Sequence, residues 1–171
     1  PACSIVSIGV DLPEPRDSSG FRKRFGLARP FMVYIGRVEP AKGCQELFDD
    51  YLATRALCSE PASLPDLVII GSAAMGIPQH PGIHYLGFVS EDEKADAILQ
   101  ADFLVNPSPS ESLSLVLLEA WSRQRAVLVN GRSEVMRGQV ARARGGLAYG
   151  SRREFAECLY ALRDGRACAV M

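Results

Sequence analysis

Residues 31–71 have the sequence FMVYIGRVEPAKGCQELFDDYLATRALCSEPASLPDLVIIG. Two short apolar runs, at residues 31–36 and 66–71, lie on either side of a segment in which apolar residues recur at helical spacing, residues 45–57. Short Val- and Ile-rich runs separated by an amphipathic helix are typical of neighbouring strands in a parallel sheet that is covered on both faces. This stretch therefore predicts a strand, a helix and a second, parallel strand.

The same alternation continues along the rest of the chain. A second amphipathic helix is predicted at residues 91–101, and further strands are predicted at residues 83–89, 102–106, 126–130 and 147–149. Two Ser-x-x-Glu pairs, Ser90 with Glu93 and Ser151 with Glu154, have the spacing of a capping box and predict helix starts. The fold class we predict is α/β, a doubly wound, Rossmann-like parallel sheet with helices on both faces.

Composition limits the kind of protein and its partners. The chain has 171 residues, 47% hydrophobic and 23% charged, as expected for one soluble globular domain. Its 19 basic and 20 acidic residues leave a net charge of −1, so we expect no nucleic-acid partner. The 5 cysteines are scattered and contain no Cys-x-x-Cys pair, which indicates reduced thiols and a cytoplasmic location. Because the first residue is Pro1, we expect a processed chain or an excised piece of a longer one.

The loop after the first strand reads Gly36-Arg37-Val38-Glu39-Pro40-Ala41-Lys42-Gly43. Ligands of such sheets bind beyond the carboxyl ends of the strands, so this loop places Arg37 and Lys42 at a candidate site. A planar guanidinium beside a compact ammonium suits a diphosphate, and the flanking Gly36 and Gly43 allow the backbone to approach it. The alternative is that both cations are ordinary solvated loop residues.

A second candidate region follows the strand at residues 102–106, where a polar loop leads into an apolar helix predicted over residues 113–121. Glu111 and Glu119 bracket this helix, and eight helical residues rise about 12 Å, so both carboxylates are predicted to face one ligand. The alternative for Glu119 is a buried ion pair with Arg37 or Arg125.

Backbone amides at the start of this helix are candidate phosphate donors, because they lie at the positive end of the helix dipole. They belong to Ser112, Leu113, Ser114 and Leu115.

Other features argue against competing functions. The stretch Gly71-Ser72-Ala73-Ala74-Met75-Gly76 lacks the Gly-x-Gly-x-x-Gly spacing of a dinucleotide-binding oxidoreductase, and no Gly-Lys-Ser/Thr follows to form a nucleoside-triphosphate loop. No Asp-x-Asp or His-carboxylate cluster indicates a metal site. His80 and His84 are expected at the surface without a role, and Trp121 is expected in the core.

These motifs together resemble the group 1 (family 4) glycosyltransferases, which have the GT-B fold of two Rossmann-like domains facing across a cleft. The resemblance rests on Gly-Arg and Lys-Gly at Arg37 and Lys42, on Gly87-Phe88-Val89-Ser90, on the Glu-x7-Glu of Glu111 and Glu119, and on Gly145-Gly146-Leu147. It implies that residues 21–171 are the carboxy-terminal, nucleotide-sugar donor-binding domain. Residues 1–20 are then the lead from an amino-terminal acceptor domain, which is absent.

The resemblance also implies roles for individual residues. Arg37 and Lys42 would hold the donor's diphosphate, Glu111 would contact the transferred sugar, and Glu119 would take the ribose hydroxyls. The backbone near Phe88 and Val89 would bind the base. The amides of the phosphate cradle would come from Leu113 to Leu115, with Gly36 lining the same site; Ser114 departs from the family, which most often has glycine there.

The activity implied is transfer of a sugar, with retention at the anomeric carbon, from a UDP-, GDP- or ADP-sugar to a saccharide or lipid-linked acceptor. Neither a metal nor a permanently bound cofactor is expected. The partner would be the protein's own amino-terminal domain, through which alone membrane association is expected, and this chain by itself is expected to be inactive. Two alternatives stay open: one half of a nucleotide-sugar epimerase of GT-B type, and a non-catalytic nucleotide-sugar-binding module.

Overall fold

A computed structural model describes residues 19–163, so residues 1–18 of the predicted lead (residues 1–20) and residues 164–171 lie outside the described residues. Strands and α-helices alternate along the described chain, except that β3 follows β2 with no helix between them. Their bounds are α1 Ser19–Phe25, β1 Phe31–Ile35, α2 Cys44–Leu57, β2 Asp66–Ile70, β3 Ile83–Gly87, α3 Glu91–Gln100, β4 Phe103–Asn106, α4 Leu115–Ser122, β5 Ala126–Asn130, α5 Glu134–Ala143, β6 Gly146–Tyr149 and α6 Arg152–Arg163.

The sheet has 6 strands, all parallel, in the order β3-β2-β1-β4-β5-β6. The predicted strands are all present, and the predicted doubly wound, Rossmann-like α/β fold is confirmed. The strand order reverses between β1 and β4, because the chain first builds one half of the sheet outward from β1 and then crosses back. Sheets of this kind bind ligands at that reversal, beyond the carboxyl ends of the strands.

Helices cover both faces of the sheet, and each face has its own apolar core. On one face Phe48 of α2 and Phe155 of α6 pack against strand residues such as Met32. On the other face Phe21 of α1 and Leu117 of α4 pack against residues such as Val33. Met32 and Val33 are neighbours in β1 and both are fully buried, as expected for a strand covered on both sides.

The two predicted capping boxes have different outcomes. At the start of α3 the Ser90 side chain accepts a hydrogen bond from the Glu93 N–H, and the Glu93 carboxylate accepts one from the Ser90 N–H, so this box is complete. At the start of α6 the Ser151 hydroxyl accepts from the Glu154 N–H at 3.3 Å. The Glu154 carboxylate, however, accepts from the N–H of Gly150 at 2.6 Å, one residue before the expected partner.

Three side chains differ from their predicted surroundings. His80 was expected at the surface but is half-buried, and its Nδ1 accepts a hydrogen bond from the Gly82 N–H at 3.0 Å. His84 was expected at the surface but is half-buried, with Nε2 3.2 Å from Oδ2 of the buried Asp66. Trp121 was expected in the core; it is half-buried and packs against the core of the second face, and its indole N–H donates to the Gly145 carbonyl at 2.8 Å. None of the three residues lies at the reversal of strand order. None of the helices among residues 19–163 is long and apolar enough to cross a membrane.

Candidate functional site

The loops that follow β1 and β4 bring two of the predicted site residues into direct contact. Lys42 Nζ lies 2.8 Å from Glu111 Oε1, although the two residues are 69 positions apart in the sequence. Their side chains are 36% and 16% exposed, so the pair lies at the surface of the reversal point with part of each group still accessible. A cation and an acid that the sequence placed in separate motifs thus form one site.

Close packing of backbone against backbone positions this pair. Gly43, directly after Lys42, has a φ of 73°, and a Cβ atom added to it would lie 2.2 Å from the carbonyl oxygen of Pro107. Only glycine combines that left-handed backbone with so close an approach. The same Pro107 oxygen accepts a hydrogen bond from Nδ2 of the buried Asn130 at 2.9 Å, which ties the loop after β4 to the end of β5.

A buried asparagine holds both ends of the loop that carries Glu111. The Asn106 Oδ1 atom accepts from the Ser108 N–H at 3.1 Å. Its Nδ2 atom donates to the Ser114 hydroxyl, also at 3.1 Å. Neither Asn106 nor Asn130 was among the predicted site residues. The available signal was their position, because each is a polar residue that ends an otherwise apolar strand at the ligand-binding edge of the sheet.

The helix after this loop begins later than predicted. α4 starts at Leu115, and Ser114 is its N-cap residue, with extended backbone angles and a hydroxyl that does not cap the helix. Since Glu111 therefore precedes the helix, the predicted rise of about 12 Å between Glu111 and Glu119 is wrong. Contact with Lys42, not helix geometry, sets the position of Glu111.

The later start also changes which amides are free. The first four N–H groups of a helix, counted from the N-cap, have no partner within the helix, and here they begin at Ser114. Ser114 and Leu115 keep their predicted place at the positive end of the helix. Ser112 and Leu113 do not, since both lie in the preceding loop, with exposed side chains.

Arg37 is exposed and pairs with its near neighbour Glu39. Its Nε lies 2.9 Å from Glu39 Oε2, and its Nη2 lies 3.0 Å from Oε1, so one edge of the guanidinium is occupied. The carbonyl of Arg37 accepts a hydrogen bond from the Tyr34 hydroxyl at 2.8 Å. Burial raises the pKa of Tyr34 far above its usual range, so this phenol stays protonated and the bond is kept across the accessible pH range.

A cleft of about 310 Å³ lies beside Arg37, between the loops that follow β1, β2 and β3. Three further predicted residues line it, Gly36, Phe88 and Val89, together with Lys94 of α3. The Phe88 side chain is 83% exposed, so a large apolar ring stands uncovered at the mouth. Gly71 allows the first two loops to meet, because a Cβ on it would lie 2.1 Å from the Gly36 carbonyl oxygen.

Glu119 lies on α4 with its side chain only 15% exposed, and its ionic partner is Lys94. Lys94 Nζ is 3.3 Å from each carboxylate oxygen and donates a hydrogen bond to Oε1. The alternative predicted for Glu119, a buried ion pair, is thus present, but its partner is Lys94 and not Arg37 or Arg125. Arg37 pairs with Glu39, and the Arg125 guanidinium donates to the Leu99 carbonyl, with Nε at 2.9 Å.

Chemically, the predicted site and the cleft beside it contain three cations that are each paired with a carboxylate, and two of these, Arg37 and Lys94, line the cleft. Within residues 19–163 no three His, Cys, Asp or Glu side chains are grouped closely enough to hold a metal ion. The pairs are Arg37 with Glu39, Lys42 with Glu111, and Lys94 with Glu119. Such a site suits an elongated ligand with an anionic centre and hydroxyl groups.

The chain belongs to the group 1 glycosyltransferases. The family model described as glycosyl transferases group 1 matches residues 29–164, a span that contains all the site residues described above. No curated protein sequence matches the chain.

Solved structures share the fold. The carboxy-terminal domain of LpcC, a glycosyl transferase group 1 family protein from Francisella tularensis, is 19% identical with a TM-score of 0.67, over 95% of this chain and 92% of that one. The lipopolysaccharide outer core galactosyltransferase WaaB, in its apo form, is 22% identical with a TM-score of 0.64, over 96% of this chain and 45% of that one. WaaG, a glycosyltransferase involved in lipopolysaccharide biosynthesis, is 15% identical with a TM-score of 0.63, over 92% of this chain and 52% of that one.

The coverage of these matches shows which part of the GT-B architecture the chain represents. The chain spans about half the length of WaaG and WaaB, but nearly all of the LpcC carboxy-terminal domain. The fold is therefore one Rossmann-like half of the GT-B architecture, and it corresponds to the carboxy-terminal half.

Proposed function

We propose that this chain is the donor-binding domain of a glycosyltransferase that moves a sugar, with retention, from a nucleotide-sugar to a saccharide or lipid-linked acceptor. The contact between Lys42 and Glu111 at the reversal of strand order carries the proposal. It joins a cation suited to a diphosphate and a carboxylate suited to sugar hydroxyls at the place where such sheets bind ligands.

The proposed diphosphate site consists of Lys42, Arg37 and the amides at the start of α4. Glu39 occupies the Nε edge of the Arg37 guanidinium, which leaves Nη1 and one hydrogen of Nη2 for phosphate oxygens. Preorganised cations and helix amides stabilise the negative charge that develops on a leaving nucleoside diphosphate. They would do the work that a divalent cation does in other transferases, so we propose a metal-independent reaction.

The rest of the donor would extend along the cleft. The base would lie against Phe88 and Val89, the ribose hydroxyls would bind Glu119, which Lys94 holds beside the cleft, and the transferred sugar would lie beside Glu111. The cleft lining supports the first part of this order, because Phe88, Val89 and Lys94 all belong to it. The exposed Phe88 ring supports it, since a base would cover an apolar surface that is otherwise open to water.

The acceptor would be held by an amino-terminal domain preceding this one, with residues 1–20 as the lead between them. WaaB and WaaG support a saccharide or lipid-linked acceptor, because their names refer to lipopolysaccharide. On this proposal the chain alone does not complete the reaction. Sugar transfer by the isolated chain at an enzyme-like rate would contradict this part.

The proposal is tested by calorimetric titration of the chain with UDP, GDP, ADP and NAD, each with magnesium and with a chelator. We expect saturable binding of one nucleoside diphosphate, equal in both conditions, and none of NAD. The Glu119→Ala variant should lose most of the binding free energy that the ribose contributes. Binding of NAD alone, or of no nucleoside diphosphate, would overturn the proposal.

A further inference from the structure

Lys94 joins two helices at the wall of the cleft. It lies on α3, which begins directly after the loop that carries Phe88 and Val89, and it contacts Glu119 on α4. Its Nζ lies 3.3 Å from both oxygens of Glu119 and 2.6 Å from Glu91 Oε2. The Lys94 side chain also lines the cleft, so it connects the cleft to the Glu119 carboxylate.

The two carboxylates around Lys94 differ in burial. The Glu91 side chain is 76% exposed, whereas that of Glu119 is 15% exposed. Exposed pairs on a helix surface contribute little, so the contact with Glu119 is the one with structural weight. Burial acts to lower the pKa of Lys94, but the hydrogen bond to Glu91 and the charge of Glu119 outweigh it, and the pKa is raised overall. Lys94 therefore stays an ammonium near neutral pH.

The carboxylate of Glu119 is only partly satisfied by this contact. Oε1 accepts a hydrogen bond from Lys94. Oε2 is buried and accepts none from the part of the chain that the structure describes. An ionised carboxylate has about four lone-pair positions, and a buried acceptor without a donor is costly. Glu119 thus has unused acceptor capacity, and ligand hydroxyl groups would meet the carboxylate through the 15% of the side chain that is exposed.

We propose that Lys94 is a positioning residue for this carboxylate, and that it sets the preference of the site for ribonucleotides. Lys94, which lies 3.3 Å from both oxygens of Glu119 and donates a hydrogen bond to Oε1, holds the carboxylate beside the cleft, where two ribose hydroxyls complete its hydrogen bonds. Lys94 itself does not bind the phosphates. The inference rests on the proposed function, because it deepens the role proposed there for Glu119.

The test compares three ligands on the wild-type chain and on Lys94→Met, which keeps most of the unbranched side chain but removes the charge and the donors. The ligands are UDP, GDP or ADP, whichever binds, its 2′,3′-dideoxy counterpart, and inorganic pyrophosphate. We expect the preference for the ribonucleotide over the dideoxynucleotide to fall by about three- to tenfold, equivalent to one net hydrogen bond. Affinities for the dideoxynucleotide and pyrophosphate should change by less than about twofold, on the same scale.

Two further variants separate positioning from simple packing. Glu91→Gln removes the exposed partner of Lys94 and should leave the ribose preference at the wild-type value. Lys94→Gln retains one donor and should give an intermediate preference. Unfolding midpoints in urea verify that each variant is folded before its ligands are compared.

An unchanged ribose preference in folded Lys94→Met would overturn the inference. A parallel loss of pyrophosphate affinity would overturn it too, because Lys94 would then be a phosphate ligand. Failure of the proposed function is distinguishable, since it appears in the wild-type titration as absence of nucleoside diphosphate binding.

Discussion

Lys42 and Glu111 form an ion pair of 2.8 Å across the reversal of strand order, between loops that follow different strands. The pair exists because Gly43 permits its loop to touch the backbone at Pro107. The charges of the site are thus neutralised by pairs within the protein. An entering diphosphate would have to share Lys42 and Arg37 with their carboxylate partners or displace those partners. Binding at this site should therefore respond in opposite directions to removal of a cation and removal of its acid.

Removing either diphosphate cation should weaken nucleotide binding. Arg37→Ala and Lys42→Ala are each expected to cost about 1.5 to 3 kcal/mol of nucleoside diphosphate binding, the usual value of a charge-assisted hydrogen bond. Calorimetry measures the loss. Arg153→Ala is the matched control, because Arg153 is 88% exposed and pairs with Glu157 on α6. If all three variants bind the nucleoside diphosphate with equal affinity, Arg37 and Lys42 are ordinary surface cations with no part in the site.

Removing the acid should have the opposite effect on the bare diphosphate. Glu111→Gln takes a negative charge away from Lys42, so a nucleoside diphosphate is expected to bind as tightly as before or tighter, by up to about 1 kcal/mol. The additional affinity contributed by an attached sugar should be lost, since Glu111 is proposed to contact it. Paired titrations with the nucleoside diphosphate and its sugar conjugate measure both effects. Weaker binding of the bare nucleotide would be the contrary result.

Gly43→Ala should destabilise the fold at the site. The added Cβ would meet the Pro107 oxygen at 2.2 Å, with φ at 73°, so both backbone strain and overlap oppose it. We expect a loss of about 2 to 4 kcal/mol in the free energy of unfolding, measured in urea. Gly76→Ala is the control, because nothing lies within 4 Å of a Cβ there. A loss no larger than that of the control would show that the two loops can separate freely.

The free energy of unfolding should fall in mild alkali, because the half-buried thiol of Cys158 resists ionisation in the folded protein. Burial, with Glu154 and Glu157 nearby, raises the pKa of Cys158 to about 11. The unfolded thiol has a pKa of about 8.5, so this group's contribution is complete below that pH and is lost as pH rises through the folded value. Cys158→Ala should therefore lose less stability than the wild type between about pH 8.5 and 10.

Cys58→Ala is the control for this pH dependence. A hydrogen bond with Tyr160 lowers the pKa of Cys58, so its contribution has the opposite sign. Removing Cys58 should not reduce the alkaline loss of stability. Identical pH profiles for Cys158→Ala and the wild type would contradict the assignment.

The strands were predictable because a strand that is buried on both faces appears in the sequence as a continuous apolar run. β2, DLVII, is buried at every position. α5 left a weaker record and was not predicted, since its inward residues include the polar Gln139 beside Met136 and Val140, and Gly138 interrupts the pattern. The start of α4 was misplaced because a long-range hydrogen bond from Asn106 holds Ser114 outside the helix. Local periodicity contains no information about such a bond.

The site was predictable as a set of residues and not as a set of contacts. The motifs named Lys42, Glu111 and Glu119, but their partners depend on how distant segments pack. Lys94 reaches Glu119 only because α3 packs against α4, 25 residues further along the chain. The pair between Arg37 and Glu39 is the exception, since residues two positions apart in one loop are near neighbours in any fold.

The most direct test of the central claim is a crystal structure of the chain with the nucleoside diphosphate that it binds. The account predicts the diphosphate beside Lys42 and Arg37, the ribose on Glu119 and the base against Phe88. A nucleotide bound elsewhere would contradict it, for example in the cavity of about 250 Å³ that Glu46, Asn130 and Tyr149 line between α2 and the end of β6.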